Sequence, residues 1–213
     1  MIVSHYSEDE YDYLKEIFNI AMGKAASDLA VLLKSFVDLK VPDIEIVAAE
    51  NVVDKILKGS VFKETEIITA FKQSFHNSAS LNGVAVVIFD NKTKQSLSDI
   101  LGIGDTDSLE EIDSMLELSN MLIGACMNSV SKQLFTDEMT FYPPSMICER
   151  QELQKMAYDV FQRSKLEWEY TLLAKITFKL KDKKFLCDLI ISMSEEAINN
   201  LHESISKILS ENI

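Results

Sequence analysis

Cysteine and histidine are scarce in this chain, and their scarcity limits the chemistry that it can carry. The 213 residues include three cysteines and three histidines. The cysteines are widely spaced among apolar neighbours, at Cys126, Cys148 and Cys187. An odd number of cysteines without a CxxC pair predicts buried, reduced thiols, with neither a disulfide framework nor a zinc site. The histidines lie far apart and show no ligand spacing, so we expect no metal site from them either.

Basic residues are outnumbered by acidic ones, and glycine-rich loops and long apolar runs are absent. The chain has 21 Lys and Arg against 34 Asp and Glu, which gives a net charge of −13. Such a charge repels nucleic acids and anionic membrane surfaces and attracts basic protein partners. No glycine-rich phosphate loop supports nucleotide binding. No apolar run approaches the roughly 18 residues that a membrane span needs, and the N-terminus lacks a basic signal region. We therefore expect a cytoplasmic protein with no nucleic acid partner and no membrane insertion.

One twelve-residue pattern occurs twice in the chain. DYLKEIFNIAMG at 12–23 returns as DSMLELSNMLIG at 113–124, an offset of 101 positions. The shared residues are Asp12, Glu16, Asn19 and Gly23 in the first copy, and Asp113, Glu117, Asn120 and Gly124 in the second. On a helix these four positions fall on a stripe about 60° wide. A merely solvated face is expected to drift, and most other aligned positions do differ, so the repeated polar set indicates that both faces are used.

The duplication extends beyond these stretches and predicts the fold. Pro42 follows Asn19 by the same interval as Pro143 follows Asn120. We expect a single domain over 1–213, internally duplicated into halves at about 1–101 and 102–213. Its class is predicted to be α+β, with two pseudo-symmetric halves that share a largely antiparallel sheet and long motif-bearing helices packed on it.

Hydrophobic periodicity places helices and strands in each half at similar positions. In the first half we predict a helix over Asp9–Ser35 that stops before Val41-Pro42, a strand from Ile44, a helical turn near Val53–Leu57, strands over Glu66–Phe75 and Leu81–Phe89 with a turn at His76-Asn77-Ser78, and a weak helix over Lys94–Leu101 before a polar loop from Gly102. In the second half we predict helices over Leu109–Phe135, Gln151–Arg163 and Ser194–Leu209, and strands over Ser145–Cys148, Trp168–Leu180 and Lys184–Ser192.

The repeated spacing resembles the signature of the CheC, CheX and FliY family of chemotaxis phosphatases. That signature is Asp or Ser, three residues, Glu, two residues, Asn, twenty-two residues and Pro, and both copies match it completely. Two copies in a chain of this length resemble CheC most, because CheX-like chains are shorter with one copy. FliY-like chains add a flagellar switch domain, for which we expect no residues here.

The resemblance implies a phosphatase that hydrolyses the aspartyl phosphate of a CheY-like response regulator. Asn19 and Asn120 would orient the attacking water, and Glu16 and Glu117 would pair with the lysine of the receiver domain. An asparagine carboxamide can both accept from and donate to a water, and phosphoryl transfer needs mainly positioning and charge stabilisation. No cofactor of the chain's own is implied, since Mg²⁺ would belong to the receiver. CheD is a further possible partner, and the alternative function is a catalytically weak adaptor that binds phosphorylated receivers or other chemotaxis proteins.

The supporting motif residues leave more than one interpretation open. Gly23 and Gly124 would either leave room for the partner or allow close packing of the helix against its own sheet. Asp12 and Asp113 are interpreted as helix N-terminal acids that complement the helix dipole.

The two sites are expected to act semi-independently and to differ in strength. Phe18 and Met22 are bulky where the family often has small residues, which predicts that the first site is the weaker one. Asn19→Ala should therefore leave most activity, and Asn120→Ala should remove more.

Overall fold

The chain forms five helices and seven strands in the residues that the computed structural model describes, which are 6–90, 93, 108–135, 138–166, 168–180 and 185–211. The helices are α1 (Glu8–Leu32), α2 (Val52–Gly59), α3 (Ser108–Leu134), α4 (Leu153–Phe161) and α5 (Glu195–Glu211). The strands are β1 (Val37–Ala48), β2 (Ile67–His76), β3 (Gly83–Asp90), β4 (Thr140–Phe141), β5 (Ser145–Glu152), β6 (Tyr170–Leu180) and β7 (Leu186–Met193).

All seven strands belong to one antiparallel sheet. Its order is β1-β6-β7-β3-β2, and both β4 and β5 pair with the outer side of β2. Exchanging the two halves reproduces this order, because β1, β2 and β3 exchange with β5, β6 and β7. The central strands β3 and β7 pair along their length, with Gly83 opposite Met193. The predicted class, α+β with pseudo-symmetric halves sharing an antiparallel sheet, is confirmed.

Helices cover both faces of this sheet. A large apolar cluster lies between one face and helices α1, α3 and α5, and a smaller one lies between the other face and helices α2 and α4. Cys126, Cys148 and Cys187 are free and buried, as predicted. Burial raises the pKa of each thiol, which keeps it protonated.

A capping box fixes the start of α1. The Ser7 hydroxyl accepts from the Glu10 N–H at 3.3 Å, and the Glu10 carboxylate accepts from the Ser7 N–H at 2.8 Å. The Ser206 hydroxyl of α5 donates to the same carboxylate, and His202 Nε2 lies 3.4 Å from it. These contacts, the Ser206 bond foremost and then the Ser7 N–H, lower the pKa of Glu10 to about 2. The N-terminal turn of α1 is thereby joined to α5.

The end of α1 differs from the prediction. Lys34 adopts a left-handed φ of 46° and its N–H bonds to Val31 O, while the Ser35 N–H bonds back to Ala30 O at 3.2 Å. This pair of bonds is a Schellman motif, which satisfies the last carbonyls and ends the helix at Leu32. Pro42 therefore does not stop the helix but lies within β1.

Pro42 fits inside a strand because the pairing is irregular there. The register of β1 against β6 shifts between Lys40 and Asp43. A bulge tolerates the missing N–H of proline, which regular pairing would not. Strand β1 thus begins well before the predicted Ile44.

Other boundaries differ by a few residues, and one predicted region lies outside the description. Strand β5 extends through Glu152, so α4 begins two residues after the predicted Gln151. Equivalent central strands are offset by 103 positions, β3 at 83–90 and β7 at 186–193, instead of the 101 that aligns the motifs. The weak helix predicted over Lys94–Leu101 and the loop after it lie outside the described residues, so the boundary between the halves stays a prediction.

Candidate functional site

The two motif-bearing helices, α1 and α3, pack against each other in antiparallel orientation. Cys126 Sγ lies 3.2 Å from Met22 Sδ, and Gln133 Nε2 donates to Ile17 O at 3.2 Å. Residues further along the sequence of α3 thus contact residues earlier in the sequence of α1. Because a helix advances about 1.5 Å per residue, Asn19 and Asn120 lie roughly 15 Å apart along the helix axes. The chain therefore has two separate candidate sites, displaced toward opposite ends of the helix pair.

The first site lies on the outward face of α1. Asp12, Glu16 and Gly23 are exposed, and Asn19 is half-buried. Ile20 adds an exposed apolar side chain beside Asn19, with 52% of its surface accessible. In the part of the chain that the structure describes, no side chain or backbone group hydrogen-bonds the Asn19 carboxamide. This face thus offers a carboxylate and an amide whose orientation is not fixed.

The second site, on α3, has the same motif residues as the first, but its asparagine is hydrogen-bonded by a side chain of the sheet. Asp113, Glu117 and Asn120 are exposed, as the first motif's acids are. Asn120 Oδ1 accepts from Gln73 Nε2 at 2.6 Å, and Gln73 Nε2 also donates to Tyr142 O at 3.0 Å. Strand β2 thereby holds the carboxamide of Asn120 from below.

The glycines of both motifs face open space. A Cβ built on Gly23 or on Gly124 has no neighbouring atom within 4 Å. Close packing of the helix against its own sheet, one of the two interpretations open at the sequence level, is therefore wrong. Because they have no side chain, the two glycines instead leave open space on the outward helix face beside each asparagine.

Asp12 and Asp113 do not complement the helix dipole as predicted. The first turns of the helices contain Glu8, Asp9 and Glu10 in α1, and Glu110 and Glu111 in α3. Both motif aspartates come one turn later, where the dipole has faded. Asp12 instead lies 3.2 Å from Lys15 Nζ in an exposed ion pair, which contributes little to stability.

The reason given for a weaker first site is also wrong. Phe18 and Met22 are fully buried in the large apolar cluster. Their bulk points into the core and cannot obstruct a partner that approaches the outward face.

Two residues at the second site were missed by sequence reasoning. Gln73 lies between Phe71 and Phe75 at an inward-facing position of β2, and Tyr142 is exposed beside it. The signal that could have found Gln73 is a long polar residue between two phenylalanines, where strand alternation demands an apolar one.

Among the described residues, no cluster of three or more His, Cys, Asp or Glu side chains could hold a metal ion. These described residues also include no helix whose length and hydropathy together would suit a bilayer span.

No protein-family model matches the chain. A curated relative, the flagellar motor switch phosphatase FliY of Bacillus subtilis, is 25% identical over 148 residues, which are 67% of this chain and 36% of that protein. The chain thus corresponds to about a third of that relative's length. The solved structure of Thermotoga maritima FliY matches with a TM-score of 0.66 and 19% identity, over 96% of this chain and 99% of the other.

Two further solved structures share the fold. CheX from Desulfovibrio desulfuricans matches with a TM-score of 0.53 and 13% identity, over 84% of this chain and 99% of the other. The resemblance to the CheC, CheX and FliY family is confirmed. The FliM middle domain of Vibrio alginolyticus also matches, with a TM-score of 0.55 and 11% identity, over 89% of this chain and 98% of the other. Because proteins of different names share this family fold, the motif residues must carry the argument for activity.

Proposed function

We propose that this CheC/CheX/FliY-like protein hydrolyses the aspartyl phosphate of a CheY-like response regulator. The observation that carries the proposal is the pair of outward helix faces, each with an exposed glutamate, an asparagine three residues later and an open glycine. The name of the FliY relative, a motor switch phosphatase, agrees with it. The cytoplasmic location and the possible association with CheD belong to the same proposal.

Each side chain would have one role at the docked receiver. Glu16 or Glu117 would pair with the receiver's lysine, and the neighbouring Asn19 or Asn120 would enter the phosphorylation site and orient the attacking water. Asparagine is not a base, but its carboxamide can hold a water in line with phosphorus, and that positioning contributes much of the rate in phosphoryl transfer. Mg²⁺ would come with the receiver, so we propose no metal of this protein's own.

The test is dephosphorylation of purified, phosphorylated receiver domains in the presence of Mg²⁺. Wild type should accelerate phosphate release, Asn19→Ala should retain most of the effect, Asn120→Ala should lose more, and the double variant should lose nearly all. Lys155→Ala, an exposed change on α4, which covers the opposite face of the sheet from α1 and α3, is the control and should behave as wild type. Substantial activity in a folded double variant would mean that the chemistry lies elsewhere.

A catalytically weak adaptor is the second candidate, and the first site favours it. The Asn19 carboxamide has no hydrogen-bond partner within the described residues, so that face has an acid for docking without a fixed amide for chemistry. The excess of acidic residues in the chain suits a basic partner surface. Binding of phosphorylated receivers without any acceleration of phosphate release would select the adaptor.

A further inference from the structure

Gln73 is a buried polar residue whose surroundings connect it to the second site. Only 2% of its surface is accessible, and its neighbours on the same face of β2 are the buried Phe71 and Phe75. A buried amide is costly unless it is hydrogen-bonded. Its Nε2 makes both of its bonds toward the site, to Asn120 Oδ1 and to the Tyr142 carbonyl. Its Oε1 has no protein partner among the described residues.

The Tyr142 carbonyl decides which way both amides point. A backbone carbonyl can only accept a hydrogen bond, so the Gln73 atom next to it must be the NH₂ group. The same NH₂ group faces Asn120, so the Asn120 atom that receives its second hydrogen must be the carbonyl oxygen. The usual ambiguity between the two ends of an amide is thereby removed at both residues. Asn120 must direct its own NH₂ group away from β2.

The position in the other half that the pseudo-symmetry relates to Gln73 is apolar. Gln73 lies opposite the gap between β4 and β5, since Phe75 pairs with Phe141 and Lys72 with Ser145. The equivalent irregularity in the other half is the register shift of β1, and Ile176 is the residue of β6 that lies opposite it. Ile176 is as buried as Gln73 but has no donor. The two motifs are alike, whereas these two symmetry-related strand positions differ.

We propose that Gln73 is a positioning residue of the second site, which fixes the Asn120 carboxamide for the reaction. This inference rests on the proposed function. An amide oxygen has two lone pairs, so one can accept from Gln73 while the other accepts from the attacking water. A fixed amide loses less rotational freedom when the receiver and the water arrive. Within the described residues, Gln73 leaves its side-chain carbonyl oxygen unpaired in the core, which is costly. The NH₂ group that it donates to Asn120 explains why a polar residue is found there, whereas packing alone would be better served by an apolar side chain.

The test replaces Gln73 with Leu in an Asn19→Ala background, so that only the second site contributes. Loss of one neutral hydrogen bond that matters in the transition state should lower kcat about 3- to 10-fold with KM unchanged. Thr69→Val is the matched control, because Thr69 is a buried polar residue on the same strand whose Oγ1 has no protein partner in the described part. It should change neither constant. If Gln73→Leu fails to fold, Gln73→Met keeps an unbranched chain of similar length.

A second readout does not depend on activity. The side-chain amide signals of Asn120, assigned in an NMR spectrum by their loss in Asn120→Ala, should shift and lose order in Gln73→Leu and stay unchanged in Thr69→Val. Unchanged Asn120 signals, or a kcat that stays equal or rises in Gln73→Leu, would overturn the inference. A wild type that dephosphorylates no receiver while its Asn120 signals respond to Gln73→Leu would overturn the proposed function and leave the contact itself standing.

Discussion

The open space beside Gly124 leads to a prediction in which stability and function change in opposite directions. A Cβ at this position meets no atom within 4 Å, and the residue lies inside α3. Glycine costs a helix interior about 0.8 to 1.0 kcal/mol relative to alanine. Gly124→Ala should therefore raise the free energy of unfolding by about 1 kcal/mol, which for a chain of this size is a Tm increase of roughly 2 to 4 °C.

A larger side chain at the same position should impair function without harming the fold. The Leu of Gly124→Leu would project into the same open space, so the variant should stay at least as stable as wild type. If the glycine leaves room for a receiver, the leucine side chain would fill the space that the receiver needs. Binding of the phosphorylated receiver should then weaken on the order of tenfold, about 1.4 kcal/mol. Unfolding in denaturant measures the first quantity, and titration with a stably phosphorylated receiver mimic measures the second.

The control for bulk is Lys132→Leu, which adds the same side chain at an exposed position of α3 two turns past Gly124. Both measurements belong in an Asn19→Ala, Glu16→Ala background, where neither docking nor turnover at the first site can mask the second. A Gly124→Ala protein less stable than wild type would show that the space is not open. A Gly124→Leu protein with normal binding and turnover would show that the glycine is not at the receiver contact.

The remaining predictions concern the division of roles in the motif and the anchoring of α1. In an Asn19→Ala, Glu16→Ala background, Asn120→Ala should lower kcat while receiver binding is retained. Glu117→Ala should weaken receiver binding by about 1.5 to 3 kcal/mol. Kinetics and titration measure the two effects, and the reverse pattern would refute these roles. Because the folded pKa of Glu10 lies near 2, below its ordinary 4.5, its stabilisation is present above pH 4.5 and is lost as the pH falls toward 2. Glu10→Gln should lower the free energy of unfolding by about 1 kcal/mol at pH 7, a modest amount because the carboxylate keeps some contact with solvent. Unfolding in denaturant should show that the difference between wild type and variant shrinks as the pH falls from 4.5 toward 2. A difference that is constant from pH 7 to pH 2 would contradict it.

Periodicity predicted the long helices well because their apolar stripes are long and regular. The buried faces of α1 and α3 repeat at helical spacing over several turns, which no strand pattern imitates. The ends were harder to predict. Lys34 ends α1 by adopting a left-handed backbone, and lysine gives no sequence signal for that conformation. Pro42 looked like a stop signal because the bulge that accommodates it depends on pairing with β6, which is distant in sequence.

The shared helix face of the motif residues could be predicted from the sequence because it depends on local spacing, whereas the hydrogen bond from Gln73 to Asn120 could not. Glu117 and Asn120 share a helix face by spacing alone. Gln73 reaches Asn120 from a strand 47 positions away, and only the folded sheet brings them together. The prediction that Phe18 and Met22 would obstruct the first site failed for a related reason, because the sequence alone did not tell which side of α1 faces the core.

The duplication has thus preserved the outward faces more closely than the layer beneath them. Both helices present an acid, an amide and an open glycine, but among the described residues a buried strand side chain donates to the motif asparagine only at Asn120. Because α1 and α3 are antiparallel, the two asparagines lie toward opposite ends of the pair, so a receiver docked on one cannot use the other's amide. The hydrogen bond that Gln73 donates to Asn120 is then one source from which a difference in rate between the two sites would arise. If the proposed function is right, the contrast between Gln73 and Ile176 would favour Asn120, for a reason that the buried Phe18 and Met22 do not supply.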